Sequence, residues 1–257
     1  MVKKNLSILF TLIVTLSSFS PLGENSYKVR TIVIDAGHGG KDPGCHGITG
    51  IEAKVTLAVA LELGRIIKEN MPTTKVYYTR MADNFIELHD RAGIANRNNA
   101  DLFVSIHCNS GPTSAYGTET YVMGLHNSEG NLDVAKRENE VVLKETDYKK
   151  NYDGFDPKSP QAHILFSLYQ NAYIENSILM ASKIEHQFSA RVGRTSRGVK
   201  QAGFLVLWKT TMPSVLIELG YLTNAAEEKY LTNKTNQVLL ASGIYRAIKE
   251  YKTEIEN

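Results

Sequence analysis

The stretch VRTIVIDAGHGGKDPG, Val29 to Gly44, decides how the chain is read. Its opening, VRTIVID, is a short β-branched run, and Gly37, Gly39 and Gly40 then interrupt it around His38. An apolar run closed by glycines reads as a buried strand that ends in a flexible loop. Downstream, Val55, Val59, Leu63, Ile66 and Ile67 recur at helical spacing from Ile51, which predicts a helix over 51–69, ending near Asn70 and Pro72. The same reasoning predicts a strand at 75–78, a helix at 88–98 and strands at 102–107 (LFVSIH) and 117–123 (GTETYVM). A long helix is expected over 161–190, then short strands at 204–207 and 215–218, and closing helices at 225–231 and 237–251. Strands alternating with helical stretches make this an α/β protein, with a mixed, mostly parallel sheet and helices on both faces.

The chain has 257 residues, of which 42% are hydrophobic, so a single large folded domain is expected. Lys plus Arg number 29 against 27 Asp plus Glu, and a formal charge of +2 gives no electrostatic reason to expect a nucleic-acid partner. Residues 1–24 differ from the rest. Lys3 and Lys4 precede the apolar run Leu6 to Leu16, and small polar residues follow before Pro21. That order is the signature of a secretory signal peptide, and the run is too short to span hydrocarbon. The expectation is an exported protein, periplasmic or at the cell wall, whose mature chain over 25–257 has no stable transmembrane span.

Between about 124 and 160 the alternation lapses. The segment VAKRENEVVLKETDYKK, 134–150, is rich in charge, and Gly154, Pro157 and Pro160 follow. It reads as an insertion outside the sheet, either a solvated excursion or a wall beside the site.

In open α/β sheets the ligand site lies beyond the carboxyl ends of the strands. His38 follows the first strand, His107 closes LFVSIH and Glu218 closes VLIE. Glu52 opens the helix after the glycine loop, where the helix dipole favours its ionised form. Two imidazoles and a carboxylate suit a catalytic zinc, which commonly takes three protein ligands and keeps a fourth position open. Spacing does not decide the matter, because the candidates are far apart in the chain, unlike a compact HExxH motif. The loop GHGGK also lacks the GxxxxGK[ST] spacing of a phosphate-binding loop.

Five motifs in order are more specific: DAGHGGKDPG (35–44), GIEAKVTLAVAL (50–61), YTR (78–80), ADLFVSIHCN (100–109) and MPSVLIELGYLTN (212–224). Together they resemble the zinc-dependent N-acetylmuramoyl-L-alanine amidases of bacterial cell walls, over about 29–251. The resemblance implies one Zn2+ per chain held by His38, Glu52 and His107, with Glu218 as the catalytic glutamate. It implies peptidoglycan as the substrate, cut at the amide between N-acetylmuramic acid and L-alanine. Two alternatives are a zinc peptidase cutting within the stem peptide and a non-catalytic wall-binding module. Arg80 and Asn109 also match family positions but read as residues that fix loops. Ala36, Cys45 and Cys108 depart from the pattern, and the two cysteines either bond across the mouth of the site or remain small buried thiols. His46, His89, His126, His163 and His186 match no ligand position and read as surface or packing residues. Some amidases of this family carry a segment over the cleft that a protein activator displaces. By that likeness Glu138, Glu140 or Glu145 of the insertion would fill the open zinc position.

Overall fold

The computed structural model describes residues 27–125, 128–167 and 172–257, so the expected signal peptide and His126 lie outside the described residues. The chain runs β1 (Thr31–Ala36), α1 (Glu52–Asn70), β2 (Lys75–Tyr78), α2 (Leu88–Arg97), β3 (Leu102–Asn109) and β4 (Thr118–Met123). Then come α3 (Glu129–Asn139), a 3-10 turn (Glu140–Lys144), α4 (Tyr148–Asn151), α5 (Pro160–Ser167) and α6 (Ile174–Gln187). It closes with β5 (Ser196–Ala202), α7 (Leu205–Trp208), β6 (Ser214–Tyr221), α8 (Ala225–Leu231) and α9 (Lys234–Glu256).

The six strands form one sheet in the order β2-β1-β3-β6-β4-β5. β2, β1, β3 and β6 are mutually parallel; β4 runs antiparallel to β6, and β5 runs parallel to β4. Side chains alternate across a strand, so each strand feeds two cores. Ile32, Ile34, Val104, Ile106, Val215 and Ile217 join one core, into which α1, α6 and α9 send Val59, Leu63, Ile184 and Ile244. Val33, Phe103, Tyr121 and Leu216 face the other, which they share with Ala95 of α2 and Leu205 of α7. The mixed sheet with helices on both faces is therefore the architecture observed.

On this second face the residues change along the strands. Val33, Phe103 and Leu216 are apolar, whereas Asp35, Ser105, His107 and Glu218 nearer the carboxyl ends are buried and polar. The chain leaves β1 for β2 on one side and returns to β3 on the other. That reversal opens a crevice at the carboxyl ends of β1 and β3, where a ligand site is expected.

Three local expectations need correction. FLVL at 204–207 is not a strand, since Leu205–Trp208 is a single helical turn packed in the second core. A short apolar run carries no periodicity that separates the two states. Strand β5, SRGVKQA, has no such run, because it lies at the sheet edge and most of its residues are half-buried. The helix expected at 161–190 is two helices, α5 and α6, and α6 ends in a wider turn at Phe188–Val192 before Gly193, whose φ is +75°. Among the described residues the insertion adds no strand, but it is not a solvated excursion. Val134, Ala135, Val141, Val142, Tyr152 and Phe155 are buried in the second core, which fixes the segment against the body. No described helix is long and apolar enough to cross a membrane.

Candidate active site and metal centre

The loop after β1 is held in an unusual backbone path by buried cations. His38 has a φ of +60°, a left-handed conformation that is uncommon outside glycine and needs support from its surroundings. Arg80 donates to the carbonyls of Ala36 (2.9 Å), Gly37 (2.7 Å) and Ala53 (2.8 Å). Arg91 donates to the carbonyls of Ala36 (2.8 Å) and His38 (2.8 Å) and to Asp35 Oδ1 (2.9 Å). Arg80 is thus a residue that fixes the loop, as the sequence suggested. Gly37 must be glycine for a packing reason, since a Cβ there would sit 2.5 Å from the His107 imidazole.

Helix α1 begins beside this loop and sets Glu52 beneath it. Glu52 Oε2 accepts from the Cys45 amide (2.8 Å) and Oε1 from the Cys108 amide (2.9 Å), which ties α1 to both the loop and β3. His107 reaches the same point from β3. The fourth member is Glu138 of α3, in the insertion. His38 Nε2 lies 3.0 Å from Glu52 Oε1 and 3.2 Å from Glu138 Oε2; His107 Nδ1 lies 3.2 Å and 3.0 Å from the same two atoms. All four residues are buried, and the two ring nitrogens and Glu138 Oε2 have no hydrogen-bond partner despite that burial. Buried polar atoms left unpaired are costly, so three of them facing one point beside Glu52 Oε1 call for a common partner.

Electrostatics points the same way. Burial opposes a charged ring at His38, yet Glu52 and the Asp42 hydrogen bond outweigh it and hold the ring well above the ordinary histidine range. Burial is likewise outweighed at His107, where Glu138 and Glu52 carry the ring up to about 9. Burial would raise Glu138, but His107 brings it down to about 2, and Glu52 is held well below its ordinary value against burial by His38 and His107. The carboxylates demand positive charge at one point, a demand that a divalent cation meets. Two nitrogens and two carboxylate oxygens form a donor set suited to zinc. His38 Nδ1 lies 2.7 Å from Asp42 Oδ2, the outer contact that fixes the tautomer of a metal-binding histidine, and Lys144 holds Asp42 at 2.7 Å. This His38, Glu52, His107 and Glu138 cluster is able to bind a metal ion.

Glu218 lies outside the four-donor set but beside it. Its Cα is in register with His107 on the neighbouring parallel strand and with Glu119 on the antiparallel one. It is fully buried and neither carboxyl oxygen has a hydrogen-bond partner. Burial, then the like charge of Glu138, pushes its carboxyl well above the usual range.

Glu119, by contrast, is fully satisfied. It accepts from Arg197 (2.5 Å), Tyr221 (2.7 Å), Tyr121 (2.7 Å) and Asn109 (3.2 Å) and pairs with Lys200 (2.7 Å). Asn109 is a positioning residue here, since its Oδ1 also accepts from Arg137 at 2.6 Å. Sequence reasoning missed Asp42, Arg91 and Glu119. A signal existed for Asp42, four residues after His38 in the same motif, and for Glu119, a charge inside the otherwise uncharged strand GTETYVM.

Of the three glutamates singled out in the insertion, only Glu138 joins the cluster. Glu140 lines the adjacent cleft of about 360 Å³, together with Arg137, Val141 and Leu143. Glu145 turns away to the start of α2, where its Oε1 accepts from the Leu88 amide at 2.6 Å. Cys45 and Cys108 are free thiols, so the disulfide is not formed. Cys45 Sγ instead faces the Cys108 carbonyl at 3.2 Å.

Comparison with known proteins fits this geometry. Residues 32–250 match the family described as N-acetylmuramoyl-L-alanine amidase. The chain is 33% identical over 234 residues to N-acetylmuramoyl-L-alanine amidase AmiA of Escherichia coli, covering 90% of this chain and 79% of that protein. It superposes on the catalytic domain of the amidase CwlV from Bacillus (Paenibacillus) polymyxa with a TM-score of 0.64 at 34% identity, covering 86% of this chain and 97% of the other. The CwlD amidase of Clostridioides difficile, solved in complex with the GerS lipoprotein, gives a TM-score of 0.64 at 25% identity, covering 88% and 99%.

Proposed function

The chain belongs to the N-acetylmuramoyl-L-alanine amidase family, and from that premise we propose how its own residues carry the reaction and restrain it. The enzyme hydrolyses the amide between N-acetylmuramic acid and L-alanine in peptidoglycan. Its cofactor is one zinc ion, held by His38, Glu52 and His107. When bound, zinc supplies the Lewis acidity that polarises the amide carbonyl and makes water a nucleophile near neutral pH. Asp42 holds the proton of His38 on Nδ1, so that Nε2 is bare and faces the metal position. Glu218 takes the proton of the attacking water. It then delivers that proton to the L-alanine nitrogen, which cannot leave as an amine without it.

The observation that carries this reading is the meeting of four buried donor atoms at 3.0–3.2 Å contacts, three of them without a hydrogen-bond partner. Digestion of purified sacculi, with product mass spectrometry, tests the bond assignment. The expected products are stem peptides with a free L-alanine amino terminus and glycan with an unmodified lactyl carboxyl. Fragments cut within the stem peptide would instead identify a zinc peptidase.

Glu138 is the restraint. The Glu138 carboxylate, beside His38, Glu52 and His107, would exclude water from a metal they held, and α3 lays it across the cleft from a segment anchored in the second core. Control of 5- to 150-fold needs a preference of only about 1–3 kcal/mol for the closed arrangement. Glu138→Ala should therefore raise basal sacculus hydrolysis at least about 5-fold, within that range, while three ligands keep the zinc content unchanged. Equal or lower activity in the zinc-loaded variant would reject the lock and make α3 a wall that grips substrate. A protein activator that draws α3 away fits this arrangement, and the CwlD amidase is one relative solved with a lipoprotein bound. Export to the cell wall, directed by the run Leu6 to Leu16, places the enzyme with its substrate.

A further inference from the structure

At the far end of the insertion a second donor set joins it to the start of α2. Glu87 and Glu145 face each other there through reciprocal backbone contacts. Glu87 Oε1 accepts from the Thr146 amide (3.0 Å), and Glu145 Oε1 accepts from the Leu88 amide (2.6 Å). Each carboxylate thus spends one oxygen on a backbone amide of the other segment. The two remaining oxygens aim at one atom: Glu87 Oε2 is 3.5 Å and Glu145 Oε2 is 3.6 Å from His89 Nδ1. That nitrogen is buried and has no hydrogen-bond partner, and the three donor atoms lie within 4.8 Å of one another.

These separations are too long for N–H···O hydrogen bonds, which cluster at about 2.7–3.2 Å. They match the edge of a metal polyhedron. With zinc bonds of about 2.0–2.2 Å, tetrahedral ligands stand roughly 3.4 Å apart. The surroundings are also those of a metal site, in which the ligands are themselves oriented by outer contacts. Tyr152 donates its hydroxyl to Glu145 Oε2 (2.6 Å) and accepts from the His89 amide (2.8 Å).

We infer that Glu87, His89 and Glu145 form a second, structural site for a divalent transition metal ion, zinc by its mixed nitrogen and oxygen donors. Calcium and magnesium prefer oxygen alone, so the imidazole selects against them. Burial raises the Glu145 carboxyl above its ordinary range, and a cation beside it would relieve that cost. The ion would join α2 to the insertion just beyond the 3-10 turn that follows α3. It would therefore fix the base of the segment that carries Glu138. The inference goes beyond the amidase reading, and His89, which read as a packing or surface residue in the sequence, becomes a ligand.

Metal stoichiometry decides it. Full-length chain, stripped by chelator and dialysed against zinc, should bind two equivalents, measured by elemental analysis against protein concentration. His89→Ala should bind one, His107→Ala one, and the double variant none. Glu87→Gln, which keeps an oxygen for the Thr146 amide but loses the charge, should weaken the second equivalent at least tenfold and guards against misfolding of the alanine variant. Two equivalents retained in folded His89→Ala would overturn the site, as would a wild-type chain that saturates at one equivalent and loses it in His107→Ala. One equivalent in wild type that survives His107→Ala but not His89→Ala would uphold this site and remove the first instead.

Discussion

Glu218→Gln should keep its zinc and lose turnover by roughly 100-fold or more, the scale of a positioned general acid and base. The geometry separates the two readouts. Glu218 is not one of the four clustered donors, so an isosteric amide leaves the metal position intact. Yet its register with His107 puts the carboxyl directly beside that position, and no hydrogen bond engages either oxygen. A carboxyl held above its ordinary range by burial and by Glu138 takes a proton more readily than a solvated one, which suits a group that must accept and then release it. The decisive measurement pairs elemental zinc analysis with the initial rate on sacculi. Wild-type turnover would remove Glu218 from the proton path, and loss of zinc would make it a ligand.

The placement of His107 and Glu218 towards the carboxyl ends of their strands was legible because β-branched runs leading to a polar residue are a local signal, although β3 and β6 run on to Asn109 and Tyr221, beyond the expected ends at 107 and 218. Glu52 was legible for a similar reason, since it begins the strong apolar periodicity of α1. Glu138 was visible only as one of three glutamates in a charged stretch. Choosing among them requires knowing which turn of α3 faces the cleft, and that depends on Val134, Ala135, Val141 and Val142 packing into the second core. Charge concealed those apolar anchors from a reading of average polarity. Strand β5 was hidden by its edge position, where one partner strand suffices and an apolar run is not required. The buried arginines were hidden for a more general reason. Arg80 and Arg91 bind backbone carbonyls, and a carbonyl belongs to every residue, so no sequence pattern marks it as a partner.

Arg91→Met should destabilise the fold by about 3–5 kcal/mol at pH 7, the cost of breaking a buried ion pair by removing one partner. Against a total stability of about 5–15 kcal/mol for a typical domain, that is a large share. Asp35 and Arg91 are 0% and 1% exposed, so solvent does not screen the pair. Removing the guanidinium leaves Asp35 with the hydroxyls of Thr79 and Ser105 alone and frees the carbonyl of His38, while the Ala36 carbonyl keeps its bond from Arg80. The pH dependence has a definite sign. Burial favours the protonated acid, but in the wild type Arg91, with Ser105 and Thr79, outweighs it and holds Asp35 below its ordinary value of 3.8. Its contribution is therefore complete above the unfolded-state value and is lost as pH falls through the lower folded-state value. Without Arg91 the folded carboxyl is held down less, so this contribution shrinks and less of it remains to be lost as pH falls. The gap between the two proteins should thus be widest near pH 7 and narrow towards pH 4, as read by urea denaturation with zinc held at a saturating concentration. A difference below about 1 kcal/mol, or one that stays constant across that range, would show that the arginine does not neutralise Asp35. Zinc affinity should fall in the same variant, because the carbonyl that Arg91 grips belongs to His38, and a ligand whose left-handed backbone is released no longer presents Nε2 to the cluster.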